Sequence, residues 1–143
     1  MGPVSVDVFV TFDGQCRDAV AFYATVFDSA PTSMMTFAEN PQADVAAADR
    51  DRILYAALPL GTNVLMFSDC PSGSGHIPGN NIALTFGSPD PRTVEQVFDR
   101  LSDGGQVLMP LGRTFFSEQF GMVRDQFGIM WQIAYAPEPP SGV

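Results

Sequence analysis

Residues 6–12 read Val-Asp-Val-Phe-Val-Thr-Phe, an alternation that predicts a strand with Val6, Val8, Val10 and Phe12 on one face and Asp7, Phe9 and Thr11 on the other. The period then changes. Ala19, Val20, Tyr23 and Phe27, flanked by Phe22 and Val26, recur at helical spacing, and Asp13 and Asp18 place negative charge near the helix N-terminus, where the backbone dipole favours it. Strand patterns return at about 32–38, 53–59 and 63–68, the last two joined by a Leu60-Gly61-Thr62 turn. The acidic, alanine-rich stretch 39–52 reads as an exposed loop.

Residues 70–79, Cys-Pro-Ser-Gly-Ser-Gly-His-Ile-Pro-Gly, form a connector, and beyond it the pattern begins again. A strand is predicted over 81–86. Ser88-Pro89-Asp90-Pro91 supplies an N-cap with proline at the first helical position, and Val94, Val97, Phe98 and Leu101 repeat the helical stripe until Gly104-Gly105 stops it. Strand patterns follow at 106–110, 119–124 and 129–135. Adding 74 to the residue number superposes the halves: Val8, Val10 and Phe12 meet Ile82, Leu84 and Phe86, while Val20, Tyr23 and Phe27 meet Val94, Val97 and Leu101. This is an internal repeat of βαβββ units. The expected fold is α+β, one domain over 1–135 built of two modules at about 4–69 and 79–135. In it a mixed curved sheet surrounds a cavity with the helices outside, and a proline-rich tail occupies 136–143.

Composition narrows the chemistry. The chain has 143 residues, 45% of them hydrophobic, with 12 Phe and 7 Met, so it has ample material for a core without disulfides or a structural metal. Seven basic residues stand against sixteen acidic ones, a formal net charge of −9, and all seven are arginine. The absence of lysine excludes Schiff-base chemistry, pyridoxal phosphate attachment and a P-loop. An acidic surface argues against nucleic acid and favours a neutral or cationic ligand. Cys16 and Cys70 lack the spacing of a redox or zinc motif. The first residues carry no signal-peptide pattern and no apolar run approaches a membrane span, so the expectation is a cytoplasmic protein with reduced thiols and no membrane partner.

The repeat, together with Phe12-Asp13-Gly14, Ala21-Phe22-Tyr23, Gly79-Asn80-Asn81-Ile82 and Met109-Pro110-Leu111, resembles the glyoxalase and bleomycin-resistance, or vicinal oxygen chelate, superfamily. Thr114-Phe115-Phe116, Phe120-Gly121-Met122, Asp125-Gln126-Phe127-Gly128 and Trp131 resemble its PhnB-like branch, whose domain carries the label 3-demethylubiquinone-9 3-methyltransferase-like. The likeness spans residues 4–135. It implies fold more firmly than activity. No glycine-rich loop after a strand is present for S-adenosylmethionine, so the residues do not support methyl transfer.

Metal-dependent members of that superfamily take ligands from four strands, usually His, Glu, His and Glu. Carried over by position, the resemblance puts Asp7 and Asn81 where the two histidine-type ligands stand and Gln132, four residues after Gly128, at the C-terminal glutamate position. The remaining position falls at Leu65 or Met66. Two amides, one carboxylate and an apolar residue suit a divalent transition metal poorly, so neither a metal nor another cofactor is expected. Asn81 and Gln132 either satisfy cavity hydrogen bonds or contact a ligand directly. Asp7 is a solvated strand-end carboxylate or else a weak-metal ligand, a general base or an anchor for a cation.

Alternation sketches the cavity wall: Gln132 brings Met130 and Ala134, Asp7 brings Phe9, and Asn81 brings Ala83, with Phe115, Phe116 and Phe120 closing one end. The candidate ligand-binding set is thus Asp7, Phe9, Met66, Asn81, Phe115, Phe116, Glu118, Met130 and Gln132, where Glu118 is a cavity-border residue or a solvated loop charge. His76 lies in the connector with no orienting carboxylate nearby in sequence, and Cys16 is either a packing residue or a thiol activated by a helix N-terminus. The expected function is small-molecule binding in a mostly apolar cavity by a homodimer. The alternative is an enzyme of the same superfamily acting on a small organic substrate with weak or no metal.

Overall fold

The structure is a computed structural model that describes residues 4–41 and 44–137. It divides into two compact units, Met1–Ile77 and Pro78–Val143. In the first, β1 (Val8–Phe12), α1 (Cys16–Val26), β2 (Ser33–Thr36), β3 (Ile53–Leu60) and β4 (Asn63–Asp69) follow in order, with two short 3₁₀ turns between β2 and β3, Phe37–Glu39 at the end of the expected strand and Ala47–Asp49 inside the acidic loop. In the second, β5 (Ala83–Ser88), α2 (Pro91–Ser102), β6 (Gln106–Gly112), β7 (Phe120–Arg124) and β8 (Met130–Tyr135) repeat the βαβββ order.

Each unit holds one four-stranded mixed sheet, ordered β1-β4-β3-β2 and β5-β8-β7-β6. The first and last strands of each unit pair in parallel, Val10 against Phe67 and Leu84 against Trp131, and the remaining pairs are antiparallel. The repeat offset of 74 keeps the faces of β1 and β5 in phase, since Val10 and Leu84 both lie opposite a buried aromatic ring, although Ile82, the counterpart of Val8, precedes β5. No α-helix among the described residues is long and apolar enough to cross a membrane.

One sheet face in each unit is covered by its helix. In the first unit Cys16, Ala19, Val20, Tyr23 and Val26 of α1 are buried, and the Tyr23 ring stacks on Phe67 at 5.7 Å between centroids, with Phe12 beyond it. Phe27, expected within the helical stripe, stands just past the helix end, its N–H donating to the Tyr23 carbonyl at 3.0 Å. In the second unit Val94, Val97, Phe98 and Leu101 of α2 pack over Val123, Trp131 and Ile133. Gly121 marks the closest approach: a Cβ there would lie 2.6 Å from the Phe98 ring and 3.1 Å from Leu111 Cα, so only glycine lets α2 settle on β7.

The two helices are started differently. Asp90 caps α2 conventionally, accepting the Arg92 N–H at 3.0 Å with Pro91 at the first helical position. At α1 the capping residue, Gln15, contributes no side-chain bond. Asp69, from the end of β4, accepts the N–H groups of Gly14 at 2.8 Å and Cys16 at 3.0 Å on one oxygen and that of Ile53 at 2.9 Å on the other. Neither Asp13 nor Asp18, the acidic residues read near that helix end, makes this bond.

Several boundaries differ from the sequence pattern. The first strand begins at Val8, where its pairing with β4 starts at Leu65, leaving Val6 and Asp7 exposed ahead of it. The strand expected over 81–86 runs from Ala83 to Ser88, so Asn81 precedes it and is exposed. Residues 138–143 of the expected tail lie outside the described residues.

Candidate functional site

The sheet face opposite each helix is open, and strand register fixes what it carries. In the first unit Phe67 faces the helix, so Met66 and Ser68 turn the other way, as do Phe9 and Thr11, their parallel partners on β1. Phe9 and Tyr55 lie side by side there, ring centroids 6.4 Å apart. Met66 thus shares a face with Phe9, whereas Leu65 is buried beneath the helix. Asp7, beyond the strand, accepts a hydrogen bond from Ser5 Oγ at 3.0 Å and is exposed.

At one end of this unit a cavity of about 350 Å³ is lined by Phe37, Leu54, Ser68 and Pro71 and by the carboxylates of Asp44, Asp49 and Asp69. Most of that acidity is already committed to structure. Asp69 holds the three backbone N–H groups named above, and Asp49 Oδ2 accepts from the Ser72 N–H at 3.3 Å. Asp49 Oδ1 is enclosed without a hydrogen bond, with Arg52 Nε 3.4 Å away. Arg52 also donates to Asp13 Oδ1 at 2.7 Å and to the Cys70 carbonyl at 2.8 Å, clipping the acidic loop, the β1–α1 turn and the connector together. The Arg52 guanidinium holds the Asp13 carboxyl below its ordinary value.

In the second unit Trp131 and Ile133 face the helix, so Met130, Gln132 and Ala134 turn to the open side. Their register partners on β7, Arg124, Met122 and Phe120, share that side, as does Thr85, opposite Gln132 on β5. Thr85 Oγ1 donates to Gln132 Oε1 at 3.2 Å. Phe116 meets Phe120 edge-on at 5.0 Å and Phe115 meets Phe116 at 5.1 Å, with Phe115 wholly exposed and Glu118 exposed in the same loop. The result is a surface of methionine and phenylalanine interrupted by a hydroxyl–amide pair and one guanidinium.

The candidate residues therefore fall into two groups described separately: Phe9 and Met66 share the open face of the first unit with Asp7 just ahead of it, while Met130 and Gln132 share that of the second, near Phe116. Asn81 stands before β5 and no hydrogen bond joins it to Gln132. The register places the first-unit counterpart of Gln132 at neither Leu65 nor Met66, the two positions that the resemblance left open. Thr11 corresponds to Thr85, and their partners are Ser68 and Gln132, so Ser68 is the counterpart of Gln132 and Met66 that of Met130. A divalent metal does not fit this set. Gln132 Oε1 is engaged by Thr85, Ser68 is a neutral hydroxyl, and among the described residues no three His, Cys, Asp or Glu side chains are placed so that they could hold a metal ion.

Two further groups are structural. Cys16 is buried, and burial, reinforced by the Asp69 charge, pushes its thiol up to about 12, the reverse of activation by a helix N-terminus. His76 Nε2 sits 2.9 Å from the Thr11 carbonyl, holding the connector to β1. Sequence reasoning missed Thr85, Met122, Arg124 and Ser68. The alternation Phe120-Met122-Arg124 against Met130-Gln132-Ala134 is the signal that finds Met122 and Arg124 once the hairpin between them is registered.

Comparison with known proteins bears on the same fold. The Glyoxalase/Bleomycin resistance protein/Dioxygenase superfamily model matches residues 5–133. Protein YjdN of Escherichia coli (strain K12) is 27% identical over 146 residues, covering 93% of this chain and 96% of that one. Protein PA1353 from Pseudomonas aeruginosa superposes with a TM-score of 0.83 at 29% identity, covering 94% of this chain and all of that one. The PhnB protein from Bacillus cereus superposes with a TM-score of 0.78 at 25% identity, covering 93% of this chain and all of that one.

Proposed function

We propose that this chain, which belongs to the Glyoxalase/Bleomycin resistance protein/Dioxygenase superfamily and has PhnB-like relatives, is a small-molecule binding protein that takes its ligand on the open sheet faces. The observation that carries the reading is the second unit's open face. Met122 and Met130 supply deformable apolar contact, Phe116 and Phe120 supply aromatic edges, and the Thr85–Gln132 pair and the Arg124 guanidinium supply the few polar points. A surface of this kind gains from covering apolar area while a few polar groups set orientation.

Binding, rather than turnover, is favoured by how the polar groups are spent. Asp69 holds backbone N–H groups, Asp13 is held by Arg52, and the polar pair on the open face, Thr85 and Gln132, is a neutral hydroxyl and amide, so none of these groups is free to exchange a proton with a substrate. Native mass spectrometry of freshly purified protein, followed by a thermal-shift screen of chemically diverse small molecules, tests the reading. Carried-over ligand mass, or stabilisation that Met122→Ala and Met130→Ala both diminish, is expected. Stabilisation indifferent to both substitutions, or none from any compound, would refute it.

A further inference from the structure

Arg124 ends β7 on the open face of the second unit, opposite Met130 on β8 and Gln106 on β6. It is half-buried, and Nη2 lies 3.9 Å from Met130 Sδ. That thioether is its only side-chain partner among the described residues. A guanidinium carries five N–H donors in a planar fork, and a thioether is a weak acceptor. Arg124 is thus a partly desolvated cation, laid on methionine, whose donors face no carboxylate.

We infer that Arg124 is a specificity-determining residue that selects a carboxylate on a ligand whose apolar body lies over Met122 and Met130. The inference rests on the small-molecule reading of this face. A planar oxyanion is the group that a guanidinium fork meets with two parallel hydrogen bonds, and a charge-assisted pair over an apolar surface is stronger than one in water. Gln132 lies diagonally across the ladder, ~7 Å along the strand direction at about 3.4 Å per residue. Its Oε1 is taken by Thr85, which leaves its amide N–H₂ to donate to a second oxygen on the same ligand.

The chain's formal charge of −9 favours cations at long range, but salt limits that reach to ~8 Å under physiological conditions. Arg124 acts in contact. At this face the contact charge replaces the net-charge expectation, and the ligand's charged group is negative.

Methyl-labelled methionine NMR of the full chain tests the inference, using three probes of one shape: 2-naphthoate, 2-naphthamide and 2-naphthylmethylammonium. Met122 and Met130 resonances are assigned from their leucine variants. In the unmodified protein 2-naphthoate is expected to shift both resonances with a Kd ~10-fold below that of either other probe, the scale of one hydrogen-bonded charge. Arg124→Gln and Arg124→Met, two neutral replacements of which the second keeps an apolar stem, should each erase that preference. Arg124→Lys should keep part of it, and Arg113→Gln, on an exposed arginine, should leave it intact. If all three probes shift the methionines equally, or the preference survives loss of the charge, the Arg124 assignment falls while small-molecule binding stands. If no probe shifts either methionine, the Arg124 assignment falls, and the small-molecule reading is decided by the diverse thermal-shift screen alone.

Discussion

Asp125 and Trp131 are joined at the turn between β7 and β8: the indole N–H donates to Asp125 Oδ2 at 2.9 Å, and both residues are buried. The other oxygen of Asp125 accepts the N–H groups of Phe127 at 2.8 Å and Ile129 at 3.1 Å, so one carboxylate shapes the turn and fixes the ring that fills the core beneath α2. Trp131→Phe removes the indole donor and should lower unfolding free energy by about 1–3 kcal/mol, beyond the loss of ring volume. Asp125→Asn should cost a comparable amount. Denaturant titration of both single variants and the double variant should show the double losing less than the two singles combined, since they share one bond.

Asp69 carries a larger load in the first unit, where it starts α1 and anchors β3 at once. Asp69→Asn should lower unfolding free energy by about 2–4 kcal/mol, because a charged acceptor of three N–H groups becomes a neutral amide with one acceptor oxygen. Asp13→Asn, at an exposed carboxylate, should fall well short of that in the same urea titration.

The pattern of apolar residues made the two βαβββ units legible because each helix must bury a stripe and each strand a face, and Val94, Val97, Phe98 and Leu101 do so as spaced. What it could not contain was Asp69 acting on Gly14 and Cys16, groups more than fifty residues away, or the displacement of Asn81 off its strand. Side-chain alternation put Gln132, Met130 and Ala134 on one side correctly, yet which partners face them depends on register. Register is decided between strands and not along them.

Two pH limbs follow from the shifted groups. Arg52 lowers the Asp13 carboxyl below its ordinary 3.8, so the folded state binds that proton less readily than the unfolded chain; the pair's contribution is complete above pH 3.8 and disappears as pH falls through the lowered value. For Cys16 the sign reverses: the thiol ionises near 9.0 unfolded and near 12 folded, so its contribution is complete below pH 9.0 and declines as pH rises toward 12. Chemical denaturation across pH 7–11 should show an alkaline decline that Cys16→Ala flattens. Thiol labelling of the native protein should modify Cys70 ~10-fold or more faster than Cys16.

Metal affinity should be something the second unit can be given. The unmodified protein is expected to purify with well under one zinc, nickel or iron per chain by elemental analysis, and Thr85→His with Gln132→Glu, neighbours across β5 and β8 on the open face, should raise zinc affinity ~10-fold or more by supplying imidazole and carboxylate. Near-unit metal in the unmodified chain would overturn the argument from its donors.

Self-association is expected from what the second unit leaves uncovered. Phe115 is fully exposed and Phe116 60% exposed, while the edge strand β6 presents Val107, Leu108 and Met109 to solvent. Contiguous apolar surface on an edge is commonly covered by a two-fold copy. Sedimentation at micromolar concentration should give twice the 15.4 kDa chain mass, and Phe115→Ser with Phe116→Ser should shift it toward one chain.

The parallel pairing of first with last strand has a consequence for how the protein is made. Val8 waits for Leu65, and Ala83 waits for Met130, before either sheet has its inner strand in place. During synthesis the first unit holds every strand it needs once Asp69 has left the ribosome, and it can close while the second is still being translated. Until β8 emerges, α2 has neither Trp131 nor Ile133 to cover, and Phe98 and Leu101 stand open to chaperones or to other nascent chains.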